Sequence, residues 1–290
     1  MTAARPAGDI SRSAVDVDSA GLTLVGDRWL PPGPSRGAVL LLHGGGQTRH
    51  SWRRTGERLA RAGWTAYAFD ARGHGDSGWA PDGDYSASAL VADARRLVAH
   101  IGARPVIVGA SMGGMTALVG EGEHGDLATG LVLVDIVADP EPAGVARIQK
   151  FMGSAPDGFA TLEEAADAIA AYNPNRPRPP STEGLRKNLR QGPDGRWRWH
   201  WDPRFLREGS EPARELRTRR LASAAEKVRV PTLIIRGANS DIVSAQGVED
   251  MLRLIPHAEV VEVGAAGHMI AGDDNDVFTV RLTDFLEQLP

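Results

Sequence analysis

The sequence predicts an α/β protein whose mostly parallel, twisted sheet is covered by helices on both faces. Three observations lead there. Short apolar runs alternate with longer stretches of helical periodicity through most of the chain. Several of these runs are apolar at every position, as expected of strands buried on both sides. Finally, the serine and histidine with the strongest chemical promise fall just after such runs, at the strand ends where open sheets of this kind hold their ligands.

The elements follow in order. Residues 1–14 mix Ala, Arg, Pro, Gly and Asp without a hydrophobic run and are expected to form a flexible N-terminus, with no secretory leader. Val15–Asp18 and Leu22–Trp29 alternate as strands, and Ala38–Leu42 is a continuous apolar strand ending in His43-Gly44-Gly45-Gly46. A helix over Ser51–Ala62, a strand over Thr65–Phe69 and a helix over Ala87–Ile101 come next. Between the last two lies the loop Asp70-Ala71-Arg72-Gly73-His74-Gly75-Asp76-Ser77-Gly78. Val106–Gly109 and Leu131–Val134 are further buried strands. Alternation then breaks. Residues 139–227 carry proline-rich breaks and isolated helical stretches such as Leu162–Tyr172, and are expected to be a mainly helical lid inserted after the sixth strand. Alternation resumes with Thr232–Ile235, Gln246–Leu254, Glu259–Val263 and Asp276–Leu289, so residues 15–138 and 228–290 form the core.

Composition narrows the function classes. The 290 residues can bury a large core, and 42% hydrophobic with 24% charged residues is the balance of an ordinary globular protein. A formal net charge of −4 argues against nucleic acid as a partner. No stretch is long enough to span a bilayer, and a cytoplasmic protein, monomer or homodimer, is expected. The absence of cysteine excludes disulfides, thiolate catalysis and sulfur-ligated zinc.

Gly109-Ala110-Ser111-Met112-Gly113 fits Gly-x-Ser-x-Gly between an apolar strand and a helix rich in small residues. A serine on so abrupt a turn occupies strained backbone, and glycines two residues to either side let strand and helix pass closely. The following helix aims its N-terminal amides at the site. Serine needs a base oriented by a third group. Of the eight histidines, His268 follows the last strand at the same sheet edge as Ser111. His43 and His74 also lie at that edge but in glycine-rich turns that suit backbone shaping, while His200 lies in the lid, where it could approach a substrate. Two carboxylates satisfy the chain order Ser, acid, His: Asp241 after the penultimate strand and Asp135 at the start of the lid. Asp241 is favoured, because its short loop with Asn239 and Ser240 can turn a carboxylate towards the histidine loop. Two backbone amides suit an oxyanion, those of Met112 and Gly45, with Gly44 as the neighbouring choice.

Together these features resemble the α/β-hydrolase fold family over Leu22 to Leu289. The strand ending His43-Gly44-Gly45, the loop Asp70 to Ser77, the Ser111 elbow, and Asp241 followed by His268 carry the resemblance. It implies acyl transfer to water with no metal and no organic cofactor, and a small-molecule ester as substrate. Similar proteins include carboxylesterases, enol-lactonases, carbon–carbon bond hydrolases and cofactor-free haloperoxidases. The runs His43 to His50 and His268 to Asp273 are similar to a bacterial group that includes monoalkyl-phthalate ester hydrolases. Dehalogenase and epoxide-hydrolase relatives place Asp at the elbow, so Ser111 points away from those reactions. A lactonase or carbon–carbon hydrolase using the same triad, and a non-catalytic ligand receptor on the same fold, are the competing readings.

The lid is expected to set specificity. Arg196-Trp197-Arg198-Trp199-His200-Trp201-Asp202 alternates strictly, so an extended conformation would put the three tryptophans on one face. Trp197, Trp199 and Phe151 or Met152 are candidates for an apolar pocket wall, with a small lid core as the competing expectation. Among the arginines of this block, Arg176, Arg178, Arg186, Arg190, Arg196, Arg198, Arg204 and Arg207, one pointing inward would select a substrate carboxylate.

Overall fold

The computed structural model describes residues 9–174, 178, 181–206, 211–264 and 276–289. Ten strands are present among them: β1 (Ser11–Ser19), β2 (Leu22–Leu30), β3 (Ala38–Leu42), β4 (Thr65–Phe69), β5 (Val106–Ala110), β6 (Gly130–Val134), β7 (Leu189–Gln191), β8 (Trp197–Trp199), β9 (Thr232–Gly237) and β10 (Glu259–Val263). Eight helices accompany them: α1 (Arg53–Arg61), α2 (Ala87–Ile101), α3 (Met112–His124), α4 (Pro142–Met152), α5 (Leu162–Tyr172), α6 (Glu211–Ala225), α7 (Ala245–Leu254) and α8 (Asp276–Gln288). No helix is long and apolar enough to cross a membrane among the described residues.

Eight strands form one sheet in the order β1-β2-β4-β3-β5-β6-β9-β10. The pairs β1/β2 and β2/β4 are antiparallel, and every pair from β4 to β10 is parallel. Every residue of β4, β5 and β6 is buried. Alternation along each strand divides these residues between two cores. Leu40, Ile107, Leu131 and Leu133 face one layer of helices, whereas Val39, Leu41, Val108 and Val132 face the other. This is why the runs read as continuously apolar in sequence: both faces exclude water.

The insertion between β6 and β9 contains α4, α5, the antiparallel hairpin β7–β8 and α6. Its last helix behaves differently from the rest. Leu221, Ala224 and Ala225 of α6 belong to the main core, and a Cβ on Gly122 of α3 would collide with the Ala224 backbone. The end of the insertion therefore packs as part of the core's helical layer, and the cap over the strand ends is α4, α5, the hairpin and the segment up to Leu206. A small separate cluster of Phe159, Leu162, Ala165 and Leu189 holds that cap together.

Candidate active site

The turn from β5 into α3 is set by its glycines. A Cβ on Gly109 would lie 2.5 Å from the Gly113 carbonyl group, and one on Gly113 would collide with the Leu42 carbonyl of β3. Strand, turn and helix can approach this closely only because both side chains are missing. Between them Ser111 is held at φ 47°, ψ −115°, outside the relaxed regions for a residue with a side chain. Such a conformation costs on the order of 1–3 kcal/mol. It persists because the Ser111 amide donates to Val134 O of β6 (3.1 Å) and its carbonyl accepts from Met115 N (2.9 Å). The result is a half-buried serine at the floor of a cavity of about 1350 Å³ between the sheet edge and the cap.

The glycine turn after β3 faces this serine. A Cβ on Gly44 would touch the Ser111 Cβ at 3.3 Å. The three glycine amides differ in what they do. Gly44 N–H donates to Gln47 Oε1 (3.1 Å) and Gly46 N–H donates to His74 Nε2 (3.1 Å). Gly45 N–H has no acceptor among the described residues, and neither has Met112 N–H at the start of α3. Both residues line the cavity.

Three buried histidines support the turn. His43 donates from Nδ1 to Gly44 O (2.8 Å) and accepts Ala71 N–H at Nε2 (2.9 Å). His74 donates from Nδ1 to Arg72 O (3.1 Å) while Nε2 takes the Gly46 amide. His200, from the cap, accepts Gly75 N–H at Nδ1 (2.7 Å) and donates from Nε2 to Gly46 O (3.3 Å). A backbone amide can only donate, so each bond fixes the tautomer. Burial lowers all three from their ordinary value, His43 to about 4, His74 to about 3 and His200 to about 2, with the neighbouring imidazoles lowering His74 and His200 further. These are neutral, fully engaged scaffold groups with no nitrogen left for proton transfer. His200, a residue that sequence position alone left free to approach a substrate, is turned to the core instead.

The loop after β4 is tied to the same place. Arg49 N donates to Asp70 Oδ1 (2.7 Å), Asp76 N donates to Asp70 Oδ2 (2.9 Å), and the Arg49 guanidinium pairs with Asp70 and Asp76.

Asp135 and Asp241 are placed very differently. Asp135 follows β6, whose Val134 pairs with Ala110, so it sits beside Ser111 on the neighbouring strand. The residue is 1% exposed and lines the cavity. Oδ1 accepts Gly237 N–H (3.1 Å), and Oδ2 accepts the Ser240 hydroxyl (2.6 Å), whose own oxygen is fixed by the Ile242 and Val243 amides. Asp241, the carboxylate favoured by chain order and loop composition, is 38% exposed and pairs with Arg147 of α4 at 2.7 Å. The loop carrying His268 lies outside the described residues.

The cap supplies an aromatic roof. Phe151 stacks on Tyr172 (4.1 Å between centroids), Trp199 stacks on Trp201 (4.9 Å), and Phe151 leans on Trp199 (5.5 Å). All four line the cavity with Met152 and Phe205. Trp197 does not. Its ring lies under the Arg186 guanidinium (4.9 Å) and its backbone pairs with Phe159, so it belongs to the small cap core. Tyr172 and Phe205 escaped the sequence reading: Tyr172 is the last residue of an ordinary amphipathic helix, and nothing in an Asp-Pro-Arg-Phe turn signals a cavity wall. Of the cap arginines expected as carboxylate selectors, Arg176 and Arg207 lie outside the described residues. The other six have protein partners: Asp167 for Arg178, Glu183 for Arg186, Asp76 for Arg190, the Asp157 and Gly158 carbonyls for Arg196, Asp194 for Arg198 and Asp202 for Arg204.

Comparison with known proteins agrees with this architecture. The model of the alpha/beta hydrolase fold family matches residues 37–274. An esterase of Mycobacterium tuberculosis, Rv0045c, is 31% identical over 255 residues, covering 85% of this chain and 80% of that protein. The 2-(acetamidomethylene)succinate hydrolase of Mesorhizobium japonicum is 25% identical over 228 residues, covering 77% of this chain and 79% of that one. A crystal structure of E-2-(acetamidomethylene)succinate hydrolase superposes with a TM-score of 0.80 at 24% identity, over 96% of this chain and all (100%) of the other. A strained Ser111 elbow on a parallel sheet, the cap inserted after β6 and the match across most of the chain lead to one conclusion: this chain belongs to the α/β-hydrolase fold family.

Proposed function

We propose that the chain is a serine hydrolase of carboxylic esters that works through an acyl-enzyme on Ser111. The observation that carries this reading is the coincidence, at one cavity floor, of a strained serine with two backbone amides that have no acceptor among the described residues, those of Gly45 and Met112. A carbonyl attacked by Ser111 places its developing negative charge between those amides, where fixed donors contribute most because they need no reorganisation. His268 takes the serine proton and returns it to the leaving alcohol; water then repeats the sequence on the acyl-enzyme. No metal or organic cofactor enters any of these steps.

For the group that orients His268, the geometry favours Asp135 over Asp241. An orienting carboxylate works when it is buried and held by donors, since water would otherwise weaken its bond to the imidazolium. Asp135 meets both conditions beside Ser111, whereas Asp241 is partly exposed and committed to Arg147. Chain order Ser, acid, His holds for either.

The roof of Phe151, Tyr172, Trp199, Trp201 and Phe205 supports a small apolar or aromatic substrate. The likeness to a 2-(acetamidomethylene)succinate hydrolase keeps a second reading open, in which the same serine acts on a carbonyl compound other than a simple ester.

Hydrolysis of p-nitrophenyl esters of graded chain length, wild type beside Ser111→Ala, tests the reading. Turnover should fall by about 10⁴-fold or more in the variant, and intact-mass analysis should show a covalent adduct with a fluorophosphonate on wild type alone. Equal turnover in the two proteins would sink it.

A further inference from the structure

We propose that His200 of the cap is a positioning residue for the oxyanion turn, so that Ser111 chemistry depends on the cap being docked. The inference rests on the serine hydrolase reading and extends it to a residue that does not itself line the cavity.

The turn His43-Gly44-Gly45-Gly46 contains three successive glycines, whose peptides can flip at little steric cost. An oxyanion donor on such a turn is useful only if its direction is fixed before the reaction. The core fixes part of it. His43 holds Gly44 O, Gln47 holds Gly44 N, and His74 accepts Gly46 N–H. Gly46 itself is in the left-handed region, φ 72°. Its carbonyl is held from the other side by His200 Nε2–H at 3.3 Å. The Gly45 amide therefore lies in a stretch clamped at both ends, with one clamp belonging to the cap.

His200 is prepared for that task. It is 1% exposed, and its Nδ1 accepts the Gly75 amide at 2.7 Å, which obliges Nε2 to be the protonated nitrogen and hence the donor. Its ring packs 5.8 Å from His74, the residue gripping the other side of Gly46. Alternation along Trp199-His200-Trp201 sends the two tryptophans to the cavity roof and the histidine to the core. The same three residues thus build the substrate wall and fix the turn beneath it. Further bonds keep this segment in place: Asp202 N–H to Gly73 O (2.9 Å), the Tyr85 hydroxyl to Asp202 (2.5 Å) and Arg204 to Ala80 O (2.9 Å).

His200→Gln and His200→Asn separate the two bonds. Gln retains a donor near the Nε2 position and drops the acceptor for Gly75; Asn retains an acceptor near Nδ1 and drops the donor to Gly46. For each variant and wild type, kcat, KM, the rate of Ser111 modification by a fluorophosphonate and the melting temperature are measured. A positioning role predicts H200N slower by about 10- to 100-fold in kcat and in phosphonylation, KM within about twofold, and H200Q within about threefold of wild type. If H200N matches wild type in both rates, or if H200Q and H200N lose rate equally and in proportion to melting temperature, His200 only anchors the cap and the proposal fails. Absence of Ser111 modification in wild type would instead overturn the hydrolase reading on which it stands.

Discussion

At the scale of single residues, the site is a set of groups held in states they would not adopt in water. Ser111 is kept at positive φ by bonds to β6 and α3, and Asp135 is kept buried by two donors. The two carboxylates near the site make a sharp test. Asp135→Asn should lower kcat by about 10²- to 10⁴-fold, since an amide at this place presents the wrong partner to an imidazole. Asp241→Asn should stay within about fivefold of wild type, because a partly exposed ion pair is worth on the order of 1 kcal/mol or less. Steady-state kinetics on one ester decides it, and the reverse ranking would return the role to Asp241. The sequence names both candidates and favours Asp241 on the composition of its loop; the burial that argues for Asp135 is a property of neighbours contributed by β9 and its loop.

At the scale of elements, most of the architecture was legible because hydrophobic runs report directly on burial. The strands β3, β4, β5 and β6 and the helices α2 and α5 fall where their patterns put them. The elbow was legible for a steric reason, since no residue but glycine fits at 109 and 113. Gly113→Ala tests that argument. Its Cβ would collide with the Leu42 carbonyl, a backbone atom that cannot step aside, so stability should fall by about 1–3 kcal/mol or more with a matching loss of active serine. Gly184→Ala, where nothing lies within 4 Å of the added Cβ, should be nearly neutral. Urea unfolding of both variants is the measurement, and equal midpoints would remove the steric account. The hairpin β7–β8 was only half legible. Alternation identified an extended run, but it could not show that Trp197 would be drawn under Arg186 while Trp199 and Trp201 continued to the cavity.

At the scale of the whole molecule, the cap and core meet through buried neutral histidines, and this makes stability depend on pH. His43, His74 and His200 are each lowered well below 6.5, to about 4, 3 and 2, by burial first. Unfolding exposes them, so below 6.5 the unfolded chain binds protons that the folded chain does not. Stability therefore rises with pH; it is fully present above 6.5 and is lost as pH falls towards the folded values. Each group contributes about 1.4 kcal/mol per pH unit in that window. Urea midpoints should fall clearly from pH 7.5 to pH 5, and His200→Gln should reduce the slope by about one proton of three. A flat profile would mean that these imidazoles take up protons in the fold as readily as in the unfolded chain.

What the sequence determined by itself was what depends on short-range order. Periodicity placed the strands and helices, glycine spacing placed the elbow, and strand ends located the floor of the site. What only the tertiary structure decided depends on groups far apart in the chain. The donors on Asp135 come from residues 237 and 240, about a hundred positions later in sequence, and the bond between His200 and Gly46 spans 154 positions. Folding also assigned α6 to the core layer and Trp197 to the cap. No local pattern encodes such partners, because which groups meet across a sheet edge follows from how the cap folds back over it.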